Sequence, residues 1–232
     1  MDIDSMAEKV AEFSMEDDDE SIEIDIIPDE STNGNWDQRW ALVGRFVGER
    51  FIRLHEMSQI MASNWRPGMG VSILEISPQR FLFQFAHEAD IRRIVEGGPW
   101  AYENHLLVYE RVADGVNPVE VSLEKAAFWI QLHHMPLGYM SGIVVKRIGS
   151  KLGDIMELDS NNFTVMLDIT KPLKDHVVLK IRNGGAVQNH KVTLKFERLP
   201  TFCFRCGLIG HRELFCRRNY EADNGEVPRM FV

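Results

Sequence analysis

The amino-acid sequence predicts an α+β protein with a metal-binding segment near its C-terminus. Three observations lead to this prediction. Strand and helix patterns alternate from about residue 36, strand patterns dominate residues 154–199, and all three cysteines lie between Cys203 and Cys216. With 232 residues, 44% of them hydrophobic, the chain is long enough to bury the core of one large domain or of two small ones.

Residues 36–115 are predicted to form the first folded unit. The predicted elements are a strand at 40–48, a helix at 52–65, strands at 71–77 and 80–86, a helix at 87–100 and a strand at 105–112. The turn at 66–70 and the run Gly97-Gly98-Pro99 should end the two helices. The order β-α-β-β-α-β is typical of the ferredoxin-like fold, in which both helices cover one face of an antiparallel sheet.

Residues 119–199 are predicted to form a second, smaller mixed β/α unit. The predicted elements are a strand at 127–135, a helix at 139–153 and strands at 154–159, 163–170, 175–182 and 190–199, of which the last two form a β-hairpin. This unit has one clear helix instead of two, so it is not expected to repeat the first unit in full. The sequence leaves open whether its strands extend the first sheet or form a second one.

Charge is distributed unevenly along the chain, which carries a formal net charge of −9. Residues 1–35 contain 13 acidic side chains and one basic side chain, so we expect this acidic head to be disordered. Residues 171–218 contain 11 basic and three acidic side chains, and this excess favours a polyanionic partner. No apolar run approaches the roughly 18 residues of a membrane span, and the N-terminus lacks a secretory signal. An intracellular location, nucleus or cytoplasm, is therefore expected.

The cysteines and one histidine follow the spacing C-x2-C-x4-H-x4-C, formed by Cys203, Cys206, His211 and Cys216. Clustered thiols in an intracellular protein indicate metal binding more often than disulfides. Zn²⁺ prefers four such ligands in a tetrahedron, and four protein ligands leave no open position for catalysis. Gly207 and Gly210 allow tight turns beside the ligands. The sequence therefore predicts a structural zinc site within residues 200–218, followed by a tail at 219–232.

Two other interpretations of this cluster carry less weight. One is a coincidental cluster of core cysteines and a surface histidine, but the spacing, the flanking glycines and the absence of other cysteines argue against it. A nucleophilic cysteine needs a partner histidine and a pocket, and so short a segment offers no pocket. Since the chain also shows no carboxylate pair, nucleophile elbow or phosphate-binding loop, it is not expected to be an enzyme.

The cluster resembles the CCHC zinc knuckle of retroviral and retrotransposon nucleocapsid proteins. The wider chain resembles a plant-specific, retrotransposon-derived family that pairs a domain of unknown function with such a knuckle. The matching stretches include WALVGRF at 40–46, RFLFQFAHEADIRRIVEGGPW at 80–100 and KFERLPTFCFRCGLIGHRELFC at 195–216. The resemblance implies zinc and nucleic-acid binding without catalysis.

The resemblance also implies roles for residues around the ligands. Phe204 matches the aromatic side chain on which knuckles stack a base, and nearby cations would hold phosphates. The predicted contact residues are Phe204, Arg205, Arg212, Arg217, Arg218, Lys195 and Arg198, with further Coulombic contacts from Lys171, Lys174, Lys180, Arg182 and Lys191. The chain departs from the pattern at Glu213, where a second apolar side chain often lies, and in the strand at 163–170, which has no cation.

Strand aromatics offer another candidate surface, because the open face of a ferredoxin-like sheet can bind single strands. The candidates are Phe46, Phe83, Phe85, Tyr109 and Trp129, although each of them is expected to lie in the core more often than on the surface.

The main hypothesis is a protein that binds single-stranded RNA or DNA through a zinc-dependent knuckle with little sequence specificity. The alternative is a protein-interaction or self-association module with a structural knuckle, in which the acidic head binds a protein partner.

Overall fold

The structure, a computed structural model, describes residues 40–159, 162–183 and 186–221. The predicted acidic head and the end of the predicted tail lie outside these ranges. The described residues confirm the α+β class, since they form two antiparallel sheets, a few helices and a C-terminal Cys/His cluster. None of the described helices has the length and apolar character needed to cross a membrane.

The first sheet has five strands and is accompanied by two helices. Its elements are β1 (Ala41–Phe46), α1 (Leu54–Trp65), β2 (Val71–Ser77), β3 (Arg80–Phe85), α2 (Glu88–Glu96), β4 (Trp100–Tyr102) and β5 (His105–Arg111). The strand order is β2-β3-β1-β5-β4, and every neighbouring pair is antiparallel. His87 caps α2 by accepting a hydrogen bond from the Ala89 N–H, and α2 ends before Gly97 as predicted.

The second sheet also has five antiparallel strands, so the second unit does not extend the first sheet. Its elements are β6 (Lys125–His133), α3 (Gly142–Gly149), β7 (Asp154–Leu158), β8 (Asn162–Asp168), β9 (His176–Asn183) and β10 (Ala186–Phe196). The strand order is β7-β8-β6-β10-β9. A 3₁₀ turn (Glu213–Phe215) and a short helix, α4 (Arg218–Glu221), complete the described residues.

Both sheets arrange their strands in the same order. If the strands of the second sheet are counted from β6, its order becomes 2-3-1-5-4, which is the order of the first sheet. The second unit repeats the strand topology but lacks a helix between β8 and β9, where residues 169–175 form turns and loop. The prediction that the second unit is not a full repeat therefore applies to its helices and not to its strand order.

Two hydrophobic clusters fill the interior. One cluster joins α1 and α2 to one face of the first sheet, with Met57, Trp65 and Phe83 among its buried residues. The other cluster joins the opposite face of the first sheet, represented by Val43 and Val108, to one face of the second sheet and to α3. Each face of the first sheet is therefore covered, one by helices and the other by the second unit.

The burial of both faces corrects the expectation of an open face on the first sheet. Val43, Leu106 and Val108 would lie on that face, and each is at most 1% exposed. Phe46, Phe83 and Phe85 belong to the helix-side cluster and are also buried. The first sheet therefore offers no exposed face on which these aromatic side chains could stack bases.

Two arginines form hydrogen bonds to the segment that connects the two sheets, between β5 and β6. Arg45 Nε donates to the Leu123 carbonyl at 3.1 Å, and an Arg80 guanidinium nitrogen donates to the Val121 carbonyl. Arg45 and Arg80 are neighbours across β1 and β3. Burial, followed by repulsion from Arg80, lowers the pKa of Arg45. Both side chains thus satisfy backbone carbonyls of the connection while remaining close to the sheet interface.

Most predicted elements are present, with three differences in extent. The predicted second helix (87–100) ends at Glu96, and its last residue, Trp100, begins a short strand, β4, that was not predicted. The helix predicted for 139–153 spans only Gly142–Gly149, because Ser141 caps it by accepting a hydrogen bond from the Val144 N–H. The last strand begins at Ala186 instead of residue 190, so the final hairpin is longer than predicted.

Replacement of a buried aromatic side chain in the helix-side cluster should destabilise the fold. Phe83→Ala is expected to lower the free energy of unfolding by about 3–5 kcal/mol, because it empties a fully buried site beside Trp65. Phe51→Ala is the matched control, since Phe51 is 68% exposed and its loss should cost about 0.5 kcal/mol or less. Urea denaturation of both variants measures the difference, and equal losses would contradict this view of the core.

Candidate metal centre and nucleic-acid interface

The Cys/His segment folds as a tight hairpin directly after the second sheet. Phe202 and Ile209 form an isolated antiparallel bridge, and between them the Cys203 N–H donates to the Leu208 carbonyl at 2.9 Å. The Gly207 N–H donates back to the Cys203 carbonyl at 2.8 Å. Gly207 has a φ of 79°, a value that glycine adopts without strain. The turn therefore brings the first two cysteines close together.

The four predicted ligands meet at one point. The ligand atoms of Cys203, Cys206, His211 and Cys216 all lie within 4.8 Å of one another, and Cys206 Sγ is 3.3 Å from His211 Nε2. Tetrahedral zinc with Zn–S bonds of about 2.3 Å places its ligand atoms about 3.8 Å apart, so this cluster is compact enough for one ion. The described residues contain no second group of at least three His, Cys, Asp or Glu side chains with this geometry.

Burial shapes the chemistry of the thiols. All three cysteines are buried, and burial raises the pKa of the Cys206 thiol to about 11. A buried thiol of this kind is protonated near neutral pH unless a metal stabilises the thiolate. Zinc binding must therefore release protons, and the donor set of three sulfurs and one imidazole suits a closed structural zinc site.

The metal segment is packed against the first sheet and is not a separate appendage. The Thr201 N–H donates to the Asn104 carbonyl at 2.9 Å, and the Gly210 N–H donates to the Thr201 carbonyl at 2.8 Å. Ile209 is 6% exposed and belongs to the cluster between the two sheets. The Leu173 N–H also donates to the Gly207 carbonyl at 2.8 Å. The metal segment is therefore anchored to the core through Ile209, while its three cysteines form a small buried cluster of their own.

Several apolar side chains of the metal segment are exposed to solvent. Phe204 is 51% exposed and packs edge-on against Phe202, with ring centroids 5.2 Å apart. Leu214, Phe215 and Tyr220 are 75%, 65% and 83% exposed. None of these three residues is among the contact residues predicted from the sequence. Their exposure could have been predicted, because they are apolar residues that lie between or after the candidate ligands in a segment too short to bury them.

A cleft of about 350 Å³ opens beside the ligands. Its lining includes Cys206, His211 and Cys216 of the cluster together with Phe215, Arg217, Arg218, Pro172 and Glu49. Single-strand binding combines aromatic platforms with nearby cations, and this cleft contains both. Glu49 is the group in its lining that would repel a phosphate.

The predicted cations occupy different environments. Arg212, Arg217, Arg218 and Lys195 have exposed side chains, whereas Arg205 is half-buried. Arg198 donates through Nη1 to the Gly97 carbonyl at 2.7 Å, so it links the end of β10 to the end of α2. The structure thus gives Arg198 a bond within the fold in addition to its predicted role.

Other sequence candidates lie away from the metal segment. Tyr109 is half-buried and donates its hydroxyl to the Val95 carbonyl at 3.3 Å, and burial raises its pKa. Trp129 is half-buried on the face of the second sheet that points away from the core. His133 and His134 bond to Gln131 and Thr193, consistent with their interpretation as strand-end residues and not as a second metal site.

Comparison with known protein families gives two matches. Residues 34–120 match a family described as a domain of unknown function (DUF4283), and residues 167–218 match a family described as zinc knuckle. No curated protein matches the chain. The chain therefore pairs a domain of unknown function with a CCHC zinc knuckle, and the second match begins in β8 and includes the β9–β10 hairpin.

Removal of the His211 side chain should weaken zinc binding. His211→Ala is expected to weaken zinc binding more than about 100-fold, because even loss of a group that merely supports a ligand costs 10–100-fold. His55→Ala on α1 is the control, since His55 is exposed and lies outside the cluster. Competition with a chromophoric chelator gives both affinities. Equal zinc affinity in the two variants would exclude His211 as a ligand.

A second variant tests the docking of the knuckle on the first sheet. A methyl group on Gly210 would lie 2.9 Å from Val47 Cγ1, and Gly210 has a φ of 107°. We expect Gly210→Ala to lower the free energy of unfolding by about 2–4 kcal/mol, through backbone strain together with overpacking.

Gly115→Ala provides the matched control for this test. Gly115 has a φ of 75° but open space around its Cβ position, so this variant should show only the backbone strain of about 1–2 kcal/mol. Urea denaturation of zinc-loaded protein measures both variants. A docked knuckle predicts the larger loss at Gly210, and similar losses at the two positions would contradict the docking.

Proposed function

We propose that this chain is a nucleic-acid-binding protein whose zinc knuckle binds single-stranded RNA or DNA with little sequence specificity. The observation that carries the proposal is the compact Cys3His cluster with Phe204 exposed directly after its first ligand. Aromatic stacking tolerates every base, which accounts for low sequence specificity. Exposed cations beside the cluster would hold the phosphates.

The metal has a structural role in this proposal. Zinc, when bound, supplies the cross-link that fixes the turn between the first two cysteines. The chain itself positions Phe204 against Phe202 and brings Arg212 and Arg217 to the same segment. Because four side chains of the protein complete the tetrahedron, we propose binding and not catalysis as the function.

The same pairing of domains supports a proposal on the origin of the chain. We propose that it derives from a plant retrotransposon open reading frame, as the resemblance of residues 36–216 implies.

Fold and location are two further parts of the proposal. The order of strands and helices in the first unit supports a ferredoxin-like classification. Thiolate ligands require a reducing environment, which supports an intracellular location, nucleus or cytoplasm.

Nucleic-acid binding should depend on Phe204. Phe204→Ala is expected to weaken binding of a labelled single strand by about 1–3 kcal/mol, or roughly 5–150-fold, because it removes the stacking surface. Phe51→Ala removes a similarly exposed phenylalanine outside the knuckle and should leave affinity unchanged. Fluorescence anisotropy measures both dissociation constants, and unchanged binding by Phe204→Ala would remove Phe204 from the interface.

Binding should also depend on salt and on zinc. Each phosphate contact to a single strand adds about 0.7 to the slope of log affinity against log salt, so several contacts predict a steep loss of affinity. Chelation of zinc should weaken binding, because the turn that presents Phe204 depends on the ion. A flat salt series, or equal affinity after chelation, would overturn the proposed function. Self-association without binding of single strands would favour the interaction module instead.

A further inference from the structure

The β9–β10 hairpin extends beyond the rest of the second sheet. β10 pairs with β6 only through Thr193–Phe196, whereas its pairing with β9 covers Ala186–Thr193. The equivalent hairpin of the first sheet, β4–β5, consists of three residue pairs. The second sheet therefore carries an elongated two-stranded arm that its counterpart in the first sheet does not have.

The alternation of side chains gives this arm two different faces. Val192 and Leu194 are buried in the core, and Val177 pairs with Val192, so these residues define the inner face. Residues at the intervening positions form the outer face. The cations of the outer face are Lys180 and Arg182 on β9 and Lys191 and Lys195 on β10, and all four are exposed.

The outer face of the arm has an excess of positive charge. Residues 176–193 contain no aspartate or glutamate. Two acids lie at its base: Asp175 contacts His176 and lies 4.0 Å from Lys191, so it offsets part of that charge, and Glu197 accepts a hydrogen bond from Gln131 at 2.7 Å. Asp154, Glu157 and Asp168 lie toward the opposite edge of the same face, where Asp154 pairs with Lys125 and Asp168 with Lys171. Four cations face two acids at the arm, so a polyanion on this face would be attracted to the arm and not to the opposite edge.

The arm is also continuous with the knuckle. Leu173, just before β9, bonds to Gly207 of the knuckle, and β10 leads to Cys203 through residues 197–202. A strand rises about 3.3 Å per residue, so the outer face of β10 extends roughly 30 Å from the knuckle side to its tip. A chain of phosphates bound at the knuckle could follow this face over several nucleotides.

We propose that the outer face of the β9–β10 arm, through Lys180, Arg182, Lys191 and Lys195, is a second phosphate-binding surface for the single strand held by the knuckle. This inference rests on the proposed function, because it assigns a further surface to the same ligand. The cations bind phosphates without reading bases, so the arm lengthens the bound segment and leaves sequence specificity unchanged.

The test compares strands of two lengths. The variant Lys180→Gln/Arg182→Gln/Lys191→Gln is expected to bind a labelled strand of about 30 nucleotides roughly 10–100-fold more weakly at low salt. Its salt slope should fall by about 2, because three phosphate contacts are lost. For a strand of about 6 nucleotides, which the knuckle alone can occupy, the same variant should change affinity less than about twofold.

Three controls accompany this variant. Lys146→Gln/Arg147→Gln/Lys151→Gln removes the same charge in and just after α3 and should bind the long strand like the original protein. Lys180→Arg/Arg182→Lys/Lys191→Arg retains the charge and should also bind normally. Zinc content and circular dichroism establish folding, and the single variants Lys180→Gln and Lys191→Gln replace the triple variant if it does not fold.

The outcomes separate this inference from the proposed function. Equal loss in the arm and α3 variants would show a general charge effect and overturn the inference. Unchanged binding of the long strand by the arm variant would do the same while the knuckle function stands. Tighter binding by the arm variant would also overturn the inference, because the removed cations would then oppose binding of the strand. Absence of binding of either strand by the original protein would overturn the proposed function itself.

Discussion

The packing of the first sheet against the second is the interaction on which the rest of the structure depends. Val43 and Val108 from the first sheet and Phe128 and Val165 from the second lie in one hydrophobic cluster. This contact buries the face of the first sheet that lies opposite α1 and α2. The inner face of the second sheet is covered by α3 and by the first sheet, whereas the first sheet has two helices on its own outer side. The two units therefore share a strand order but cover their sheets differently.

The same core positions the metal segment. Ile209 packs into the cluster between the sheets, and the backbone of Thr201 bonds to Asn104 in the β4–β5 turn. In a segment this short, a bound metal ion would fix the local turn, while the core fixes the orientation of the turn. The positive charge of residues 171–218 is thereby carried by two neighbouring structures, the knuckle and the β9–β10 arm, instead of a flexible tail.

The sequence predicted local features well and long-range ones poorly. The ligand set followed from spacing alone, because Cys203, Cys206, His211 and Cys216 are close enough along the chain to converge on one ion. The end of helix α2 followed from the glycines and proline after it. The short strand β4 was missed because only its pairing with β5 defines it. The early part of β10, residues 186–189, was missed because Gln188 and Asn189 interrupt the apolar alternation.

The exposure of individual side chains could not be predicted from the sequence either. The apolar run of β1 is compatible with burial on either face, and only the second unit determines that Val43 faces another sheet. For the same reason the strand aromatics could not be sorted into core and surface before the sheets were assembled. Arg198 shows the limit most clearly, since its bond to Gly97 joins residues 101 positions apart.

The close contact at Gly210 would set the direction of the single strand that we propose the knuckle binds. Val47 and Gly48 lie against Gly210, and this contact orients the knuckle, and with it the route from Phe204 to the tip of β10, relative to the first sheet. Nucleic-acid strands are polar, with distinct 5′ and 3′ ends, so an asymmetric rigid track of this kind admits one direction of travel better than the other. Successive molecules along one strand would then all face the same way, in a head-to-tail array.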